Sequence, residues 1–437
     1  MNFQYLNPEI EKMPRDKLEA LQLKKLKTEI GYALRTPFYR ERLSKTGIKS
    51  EDDIKTLDDL KKIPFTTKND LRDGFPYGFL SIPKEDVVRL HSSSGTTGVP
   101  TVIYFSKDDI KNWSGFVTRC IYGTGCDKND VFQNMITYGL FTGGLGFHQG
   151  GEELGMLVIP AGPGNTARQF QMMKDYGTTV LHATPSFLLH LETKMKEAGV
   201  DRDTLILKKA FGGAEPYSED TRRRIEALLK VDVYNSYGLS EMNGPGVAFE
   251  CQCKAGLHIW EDGYIAEIVN PDTLEPVKDG ETGELILTIL CREATPLLRY
   301  RTRDLTSFYT EPCECGRTHR RLRRITGRSD DMLIINGVNV FPSQIEEVIM
   351  GMKEVGNNYL IVVEKDGALD RMTVKTEVGS ETFMDDARAL KALKEKIVNA
   401  LKVSISISPK VELHESGSLP ISEGKAVRVK DTRPKDV

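Results

Sequence analysis

The fold of this chain is decided by one stretch of ten residues, His91-Ser92-Ser93-Ser94-Gly95-Thr96-Thr97-Gly98-Val99-Pro100. Mostly apolar, β-branched residues flank it at 87–90 and at 101–105, so the pattern predicts a strand, a tight loop and a second strand. The glycines leave room for a bulky guest, and successive backbone N–H groups in such a loop form a concave anion site. The hydroxyl groups add further donors. The stretch therefore predicts a phosphate-binding loop, with a flexible linker as the alternative.

Two other glycine-rich nucleotide motifs do not fit the sequence. A Walker A loop requires a lysine directly after its last glycine, whereas Gly98 is followed by Val99. A dinucleotide-binding fingerprint around Gly144-Leu145-Gly146 would need a third glycine one residue before Gly150. We also see no helical pattern opening there, and we exclude that motif.

The loop formed by Ser93, Ser94, Gly95, Thr96, Thr97 and Gly98, with Pro100 behind it, resembles the phosphate loop of the adenylate-forming acyl-CoA synthetase superfamily. Within that superfamily, His91 ahead of the loop and Thr101-Val102 behind it are similar to the phenylacetate–CoA ligase branch. The resemblance implies that the loop binds ATP. Many members carry a lysine where this chain has Thr101, so one phosphate contact of the wider family is left unassigned.

The composition is typical of a globular protein with two or three domains. The chain has 437 residues, of which 39% are hydrophobic and 28% charged, and its net charge of −3 does not favour nucleic acid or an anionic membrane as a partner. No apolar run approaches 18 residues, and the N-terminus lacks the pattern of a signal peptide. The seven cysteines are an odd number, which favours a reducing compartment, and we expect a cytoplasmic protein. The oligomeric state stays open, a homodimer among the alternatives.

Alternating strand and helix patterns predict a parallel sheet wrapped by helices in the middle of the chain. A helical stretch comes first, at 14–43. Strands are predicted at 131–138, 156–160, 179–184, 205–211 and 231–235, and helices at 166–174, 185–198 and 218–230. Ligands of such sheets bind beyond the carboxyl ends of the strands, where this chain has polar loops.

The last third of the chain has a different pattern. Residues 267–290 have the alternating pattern of strands and are interrupted by turns, which predicts a β-rich subdomain. Strands at 359–363 and 372–374, a helix at 385–401 and a strand at 403–407 indicate a small α+β domain. The predicted fold class is thus α/β, with a large multi-subdomain N-terminal region at 1–328 and a small C-terminal domain at 329–437. The resemblance implies that the C-terminal domain is mobile.

The motif Tyr237-Gly238-Leu239-Ser240-Glu241 resembles the adenine and magnesium motif of the superfamily. The resemblance implies that Tyr237 stacks on adenine, that Ser240 lies near the α-phosphate and that Glu241 holds Mg²⁺, a cation that prefers oxygen ligands. A second loop resembles the one over the adenine edge; it comprises Gly213, Ala214, Glu215 and Pro216.

Four further residues follow the order of the superfamily motifs. Asp304 resembles the ribose-binding aspartate, and the resemblance implies that Arg328 reaches the ribose or a phosphate. Asp330 corresponds to the hinge between the domains, and Lys425 to the lysine that completes the adenylation site. Taken alone, Asp304 among arginines is typical of a surface ion pair, and a lysine near a chain end is usually solvated.

Cysteine and histidine residues form a second candidate site, which could bind a metal ion. Thiolates and an imidazole are zinc ligands, and the phenylacetate–CoA ligase branch has similar segments. We assign a structural zinc ion to Cys251, His258, Cys313 and Cys315, with Cys253 as the spare thiol. The alternative is two unrelated thiol pairs.

These motifs predict an AMP-forming acid–thiol ligase that uses ATP, Mg²⁺ and coenzyme A. The branch resemblance implies phenylacetate as the acid, while indoleacetate, benzoate-like and medium-chain acids stay open. The residues Tyr138, Phe141, Phe147 and Pro245 are candidates for an apolar acid pocket, with core packing as the alternative. A rival from another class is a zinc-dependent nucleic-acid-binding protein, because five arginines crowd 317–324 beside the second cysteine pair.

Overall fold

The computed structural model describes residues 3–92, 99–367, 369–379, 387–420 and 426–433. The chain forms two compact units. Unit 1 comprises Met1–Gly162, Thr178–His182 and Tyr234–Ile325, and unit 2 comprises Pro163–Gly177, Ala183–Val233 and Thr326–Val437. The boundary at 328 that the sequence predicts is a division of another kind, between an N-terminal and a C-terminal domain, and it stays a prediction.

Helices occur in both units of the described chain. In chain order, the α-helices are α1 (Pro8–Glu11), α2 (Arg15–Ala33), α3 (Pro37–Ser44), α4 (Lys68–Asp73), α5 (Lys107–Gly123), α6 (Thr142–Leu154), α7 (Thr166–Asp175), α8 (Pro185–Glu197), α9 (Glu219–Leu229), α10 (Pro342–Met350) and α11 (Ala387–Ile405). Short 3₁₀ helices occupy Glu51–Asp53, Leu57–Lys62, Lys84–Asp86, Arg202–Thr204 and Ser240–Met242.

The strands of the described residues are numbered in the same way. They are β1 (Arg89–Ser92), β2 (Val102–Phe105), β3 (Val131–Asn134), β4 (Leu157–Ile159), β5 (Val180–Ala183), β6 (Lys209–Gly212), β7 (Asp232–Leu239), β8 (Gly244–Glu250), β9 (Leu257–Ile259), β10 (Tyr264–Val269), β11 (Gly283–Ile289), β12 (Tyr300–Thr306), β13 (Arg321–Leu322), β14 (Gly327–Arg328), β15 (Leu333–Ile335), β16 (Val338–Val340), β17 (Val355–Asp366), β18 (Leu369–Val378), β19 (Lys410–His414) and β20 (Val429–Asp431).

Unit 1 contains parallel and antiparallel strand groups. Strand β3 lies between β4 and β5 and is parallel to both, with Phe132 opposite Val158 and Val180. Strands β7, β8, β9 and β13 pair antiparallel in that order, and β10, β11 and β12 form another antiparallel group. The parallel strands and the β-rich subdomain that the sequence predicts are both confirmed.

Unit 2 ends in a small α+β region. Strands β17 and β18 pair antiparallel over their length, β20 is parallel to β17, and β19 is parallel to β18. Helix α11 follows β18 in the chain, with Leu393, Ile397, Leu401 and Ile405 buried at intervals of four residues. The strand predicted at 403–407 is therefore wrong, because those residues continue or follow the helix and the next strand begins at Lys410.

Several described helices, α5 and α10 among them, were not predicted, and two further differences concern the stretch 14–43 and α6. The stretch 14–43 is divided in two because Pro37 starts α3, whose first turn is capped by the hydroxyl of Thr36. Helix α6 was not expected, since glycine disfavours helices, yet it contains five glycines. Its glycines allow close packing: a Cβ on Gly146 would lie 2.6 Å from Pro245 and from Trp113. Among all described helices, none has the length and apolar character needed to cross a membrane.

Candidate functional site

Two residues that the sequence predicts to bind the nucleotide are hydrogen-bonded to each other in unit 1, although they are 67 positions apart in the chain. The phenol of Tyr237, on β7, donates to a carboxylate oxygen of Asp304, on β12, at 2.6 Å. Both side chains are buried. A short bond to a carboxylate is stronger than a bond between neutral groups. The pair therefore places an aromatic ring and a carboxylate side by side in unit 1.

Local backbone geometry fixes Asp304. The residue before it, Arg303, has a φ of 69°, a left-handed conformation that is uncommon for a side chain of this size. The Asp304 N–H donates to the hydroxyl of Thr302 at 3.0 Å, and that hydroxyl donates to the Leu285 carbonyl at 2.8 Å. Backbone strain of this kind clusters at functional sites, and here it aims the carboxylate at Tyr237.

The predicted magnesium motif spans the end of β7 and the 3₁₀ turn that follows it. A Cβ on Gly238 would lie 1.7 Å from the Gly244 carbonyl oxygen, so this position requires glycine. Asn243, with a φ of 72°, closes the turn. Its side-chain oxygen accepts from the buried guanidinium of Arg292 at 3.0 Å, and its amide donates to the Tyr264 hydroxyl at 3.3 Å. A fully buried polar set of this kind holds the turn in one conformation.

Ser240 and Glu241 lie on this turn beside two residues that the sequence analysis missed. The Ser240 hydroxyl is 3.2 Å from that of Thr142, the first residue of α6. The buried carboxylate of Glu241 lies 3.7 Å from the ammonium group of Lys68. No pattern in the sequence singles out Thr142, because the helix that it starts was not recognised. Lys68 is the first residue of α4, and the hydroxyl of the preceding residue, Thr67, caps that helix.

In unit 2, the predicted adenine-edge loop from Gly213 to Pro216 follows β6. The carboxylate of Glu215 accepts from the Ser186 hydroxyl at 3.0 Å and also from the backbone N–H of Ala426. Ala426 directly follows Lys425. Glu215 thus anchors the chain next to the predicted adenylation lysine.

Arg328 and Asp330 pair with each other in unit 2. Two guanidinium nitrogens of Arg328 lie 2.8 and 2.9 Å from the two carboxylate oxygens of Asp330, and both side chains are partly exposed. The roles predicted for them, in nucleotide binding and as the hinge, stay predictions. The phosphate loop at Ser93–Gly98 and the lysine at 425 lie outside the described residues.

The four predicted acid-pocket residues divide into two classes. Phe147 is 1% exposed and packs against Phe132, His182 and Phe249, and Pro245 accepts a hydrogen bond from the indole of Trp113. Both have core contacts. Tyr138 is half-buried, and Phe141 is 40% exposed. Of the four, Tyr138 and Phe141 have surface that a substrate can contact.

The predicted zinc ligands come together in unit 1. One ligand atom from each of Cys251, His258, Cys313 and Cys315 lies within 4.8 Å of the others, and all four residues are buried. The sulfur atoms of Cys251 and Cys313 are 3.7 Å apart. Four ligands at about 2.3 Å in a tetrahedron place sulfur atoms roughly 3.8 Å apart. The donor set and its spacing therefore fit zinc.

His258 is oriented as a metal ligand. Its Nδ1 lies 3.4 Å from the His319 carbonyl, and its Nε2 lies 3.3 Å from the Cys315 sulfur. A second hydrogen bond of this kind orients the imidazole of metal-binding histidines. Burial lowers the pKa of His258, which favours the neutral form that binds metals.

The N-terminal segment packs against this cysteine cluster. Phe3 contacts the cluster, and the phenol of Tyr5 donates to the Cys315 carbonyl. The guanidinium of Arg317 bonds to the buried carboxylate of Glu11 at 2.7 Å and to the Gln4 carbonyl at 2.7 Å. The cluster thus joins parts of the chain about 300 residues apart.

The arginines next to the second cysteine pair all have partners within unit 1. They are Arg317 with Glu11, Arg320 with Asp279 and Phe308, Arg321 with Tyr309, Arg323 with Tyr309, and Arg324 with Glu250. Nucleic-acid binding needs cations that are free to meet phosphates. Three of the five arginines, Arg317, Arg320 and Arg324, are instead paired with carboxylates, which weighs against the nucleic-acid-binding alternative.

Comparison with known families decides the class of protein. The AMP-binding enzyme model matches residues 29–288, and the model of the AMP-binding enzyme C-terminal domain matches residues 337–433. The chain belongs to the AMP-binding enzymes. This AMP-binding enzyme is 44% identical to the phenylacetate-coenzyme A ligase of Thermus thermophilus, over 98% of this chain and 99% of the relative. It is also 44% identical to that of Pseudomonas putida, over 96% of this chain and 95% of the relative.

Among solved structures, this AMP-binding enzyme is similar to a 2-hydroxyisobutyryl-CoA ligase. The TM-score is 0.91, at 26% identity over 97% of this chain and 91% of the relative, for the postadenylation state in complex with R3-HIB-AMP. For the same ligase with 2-HIB-AMP and CoA in the thioesterification state, the TM-score is 0.72. The identity is 28%, over 98% of this chain and 92% of the relative. The resemblance found in the sequence and the predicted α/β fold class are confirmed.

Replacing Tyr237 with phenylalanine tests the pair with Asp304. The ring stays, but the carboxylate loses a bond of the kind worth about 1.5–3 kcal/mol. We expect the KM for ATP to rise about 10-fold, which corresponds to about 1.4 kcal/mol, with little change in kcat. Steady-state kinetics measures the KM for ATP of this variant, and the control is Tyr234→Phe, a change on the same strand. An unchanged KM for ATP would show that the bond between Tyr237 and Asp304 does not contribute to nucleotide binding.

Proposed function

We propose that this enzyme converts phenylacetate, ATP and coenzyme A to phenylacetyl-CoA, AMP and diphosphate through an acyl adenylate. The observation that carries the proposal is the identity of 43–44% to four phenylacetate-coenzyme A ligases, over 96% or more of this chain. Coverage of nearly the whole chain means that both family domains take part in the match. The enzyme is then an AMP-forming acid–thiol ligase.

The reaction has two halves. A carboxylate oxygen of the acid attacks the α-phosphorus of ATP, and diphosphate leaves. The thiolate of CoA then attacks the acyl carbon, the bond to the phosphate oxygen breaks, and AMP leaves. No nucleophilic side chain is needed, so the work of the protein is positioning and stabilisation of the negative charge that develops on the phosphate.

We assign the residues of unit 1 to this chemistry as follows. The Tyr237 ring stacks on adenine, and Asp304 accepts from the ribose hydroxyls. Ser240 contacts the α-phosphate, and the loop Ser93–Gly98 binds the phosphate chain. Glu241 would hold Mg²⁺, which neutralises charge on the phosphates when bound. The Glu241 carboxylate supplies an oxygen ligand of the kind that this ion prefers.

We assign three elements of unit 2 to the same reaction. The loop Gly213–Pro216 contacts adenine, Arg328 contacts the ribose or a phosphate, and Lys425 donates to the α-phosphate during adenylation. We further propose that residues 329–437 turn about Asp330 between the two halves. In support, the solved 2-hydroxyisobutyryl-CoA ligase has been observed in a postadenylation state and in a thioesterification state.

We propose that Cys251, His258, Cys313 and Cys315 hold one structural zinc ion. A closed set of four protein ligands leaves no position for a substrate, which is typical of structural zinc sites. The seven cysteines form no disulfides, which supports a reducing compartment, and we propose the cytoplasm. The homodimer stays a prediction, which light scattering on the purified protein checks.

The acid specificity is tested with a panel of acids. We expect phenylacetate to give a higher kcat/KM than acetate or palmitate, because the aryl ring buries apolar surface worth about 25 cal/mol per Å². The panel also includes indoleacetate, benzoate and a medium-chain acid, the open alternatives. CoA-dependent AMP release is measured for each acid. A preference for acetate or palmitate would contradict the proposed substrate, and exchange of diphosphate into ATP with none of the acids would contradict the proposed reaction.

A further inference from the structure

Helices α9 and α10 of unit 2 each bind a charged or polar side chain of the other. Helix α10 lies in the segment 329–437 that we propose to be mobile, whereas α9 lies in the preceding part of the chain. The α9–α10 contact, as we call it, consists of Arg224 and Glu346 with their backbone and side-chain partners.

On one side, Glu346 of α10 binds the start of α9. Its carboxyl group is buried and accepts from the backbone N–H of Ser218 at 3.1 Å and from the hydroxyl of Thr221 at 2.9 Å. Ser218 is the N-cap residue of α9. The first N–H groups of a helix have no partner within the helix and form its positive end. Glu346 therefore supplies an acceptor where α9 needs one.

On the other side, Arg224 of α9 binds the backbone that follows α10, at Met352 and at the start of β17. Its guanidinium donates to the carbonyls of Val355 and Gly356, at 3.1 Å each, and to the carbonyl of Met352. Three carbonyls around one guanidinium, next to the end of α10, give a site that prefers a cation. Arginine suits it because its five N–H donors have a fixed geometry.

A further bond in unit 2 connects this region to the predicted catalytic lysine. The Glu215 carboxylate accepts from the backbone N–H of Ala426, the residue after Lys425. Thus the same segment that carries α10 also brings Ala426 to a loop that we assign to adenine.

We propose that Arg224 and Glu346 are positioning residues that hold residues 329–437 against α9 for the adenylation half-reaction and release them before CoA attacks. This inference rests on the proposed two-step function. Neither residue touches the substrates in this assignment. Their contact stabilises one arrangement, so its loss shifts the population of enzyme away from the state that makes acyl-AMP.

The test is a single-turnover measurement of each half-reaction with Arg224→Met. Methionine keeps most of the apolar stem and removes the donors. We expect formation of phenylacetyl-AMP to slow by about 10-fold, and the conversion of supplied phenylacetyl-AMP and CoA to the thioester to change less than 2-fold. The matched control is Arg223→Met, the preceding residue of α9, which is exposed and pairs with Asp220. It should leave both rates unchanged.

Two further variants separate positioning from loss of folding. Arg224→Lys keeps the positive charge but lacks the planar set of guanidinium donors. Glu346→Gln keeps the shape of the side chain and one acceptor oxygen. Each variant should slow adenylation by about 3-fold and leave the rate of thioester formation unchanged. Equal slowing of both halves by Arg224→Met, or no slowing of either, would overturn the inference while the proposed function stands. Wild-type enzyme that forms no acyl-AMP from phenylacetate would overturn both.

Discussion

Replacing Lys425 with alanine is expected to slow the formation of phenylacetyl-AMP by about 100- to 1,000-fold. Losing one preorganised donor to an oxyanion typically costs that much, and the lysine would act on the phosphate oxygens while negative charge develops on them. The conversion of supplied phenylacetyl-AMP and CoA to the thioester should keep its rate, because the proposed rotation about Asp330 takes the lysine away from the phosphate before CoA attacks.

Single-turnover assays of the two halves measure this contrast. Lys430→Ala is the matched control, because Lys430 is exposed and lies only five residues further along the chain. The control should leave both rates unchanged. If Lys425→Ala slowed both half-reactions equally, the lysine would be a binding or structural residue, and the proposed rotation about Asp330 would lose its main support.

Replacing Cys313 with serine is expected to remove the zinc ion and to lower the free energy of unfolding by about 4 kcal/mol, a size typical of the loss of a metal site. Three buried polar groups would be left without their common partner. Metal analysis of the purified protein should give one zinc per wild-type chain and almost none in the variant. Urea unfolding of both proteins measures the loss of stability.

The spare cysteine supplies the control for the zinc prediction. Cys253 lies two residues after Cys251 but outside the set of four ligands, and it is partly exposed. Cys253→Ser should therefore retain the zinc and the stability of the wild type. Wild-type protein without zinc, or a Cys313→Ser variant with a full complement, would refute the assignment. The fraction of the variant that folds should keep its rate of acyl-AMP formation.

The sequence predicted best where the chemistry lies in the residue types themselves. Cys251, His258, Cys313 and Cys315 were chosen for their ligand atoms, and those atoms lie together. Tyr237 and Asp304 were chosen by their resemblance to family motifs, and they share a hydrogen bond. For the zinc ligands the side-chain chemistry admits few alternatives, so distance along the chain did not obscure the grouping, whereas the bond between Tyr237 and Asp304 was not predicted.

The sequence predicted least where tertiary packing overrides local preference. Helix α6 exists although its glycines disfavour it, because only glycine lets it approach Pro245 and Val117 so closely. Thr142, at its start, was missed for the same reason. Arg292 and Asn243 were missed because they act on the Glu241 turn through a buried hydrogen bond between residues 49 positions apart, which has no periodic signal. Phe147 was a candidate for the acid pocket with core packing as the alternative, and its ring is buried.

The buried ion pair between Glu11 and Arg317 has a consequence for how the protein is made. The two residues are 306 positions apart, and ribosomes add about 5–20 residues per second, so Glu11 waits roughly 15–60 s for its partner. Its carboxylate stays in water during that time, because burying it unpaired would be costly. The cysteine cluster likewise has only Cys251 and His258 until Cys313 and Cys315 emerge. This corner of unit 1 is therefore completed late in translation, well after the strands β3, β4 and β5 have been synthesised.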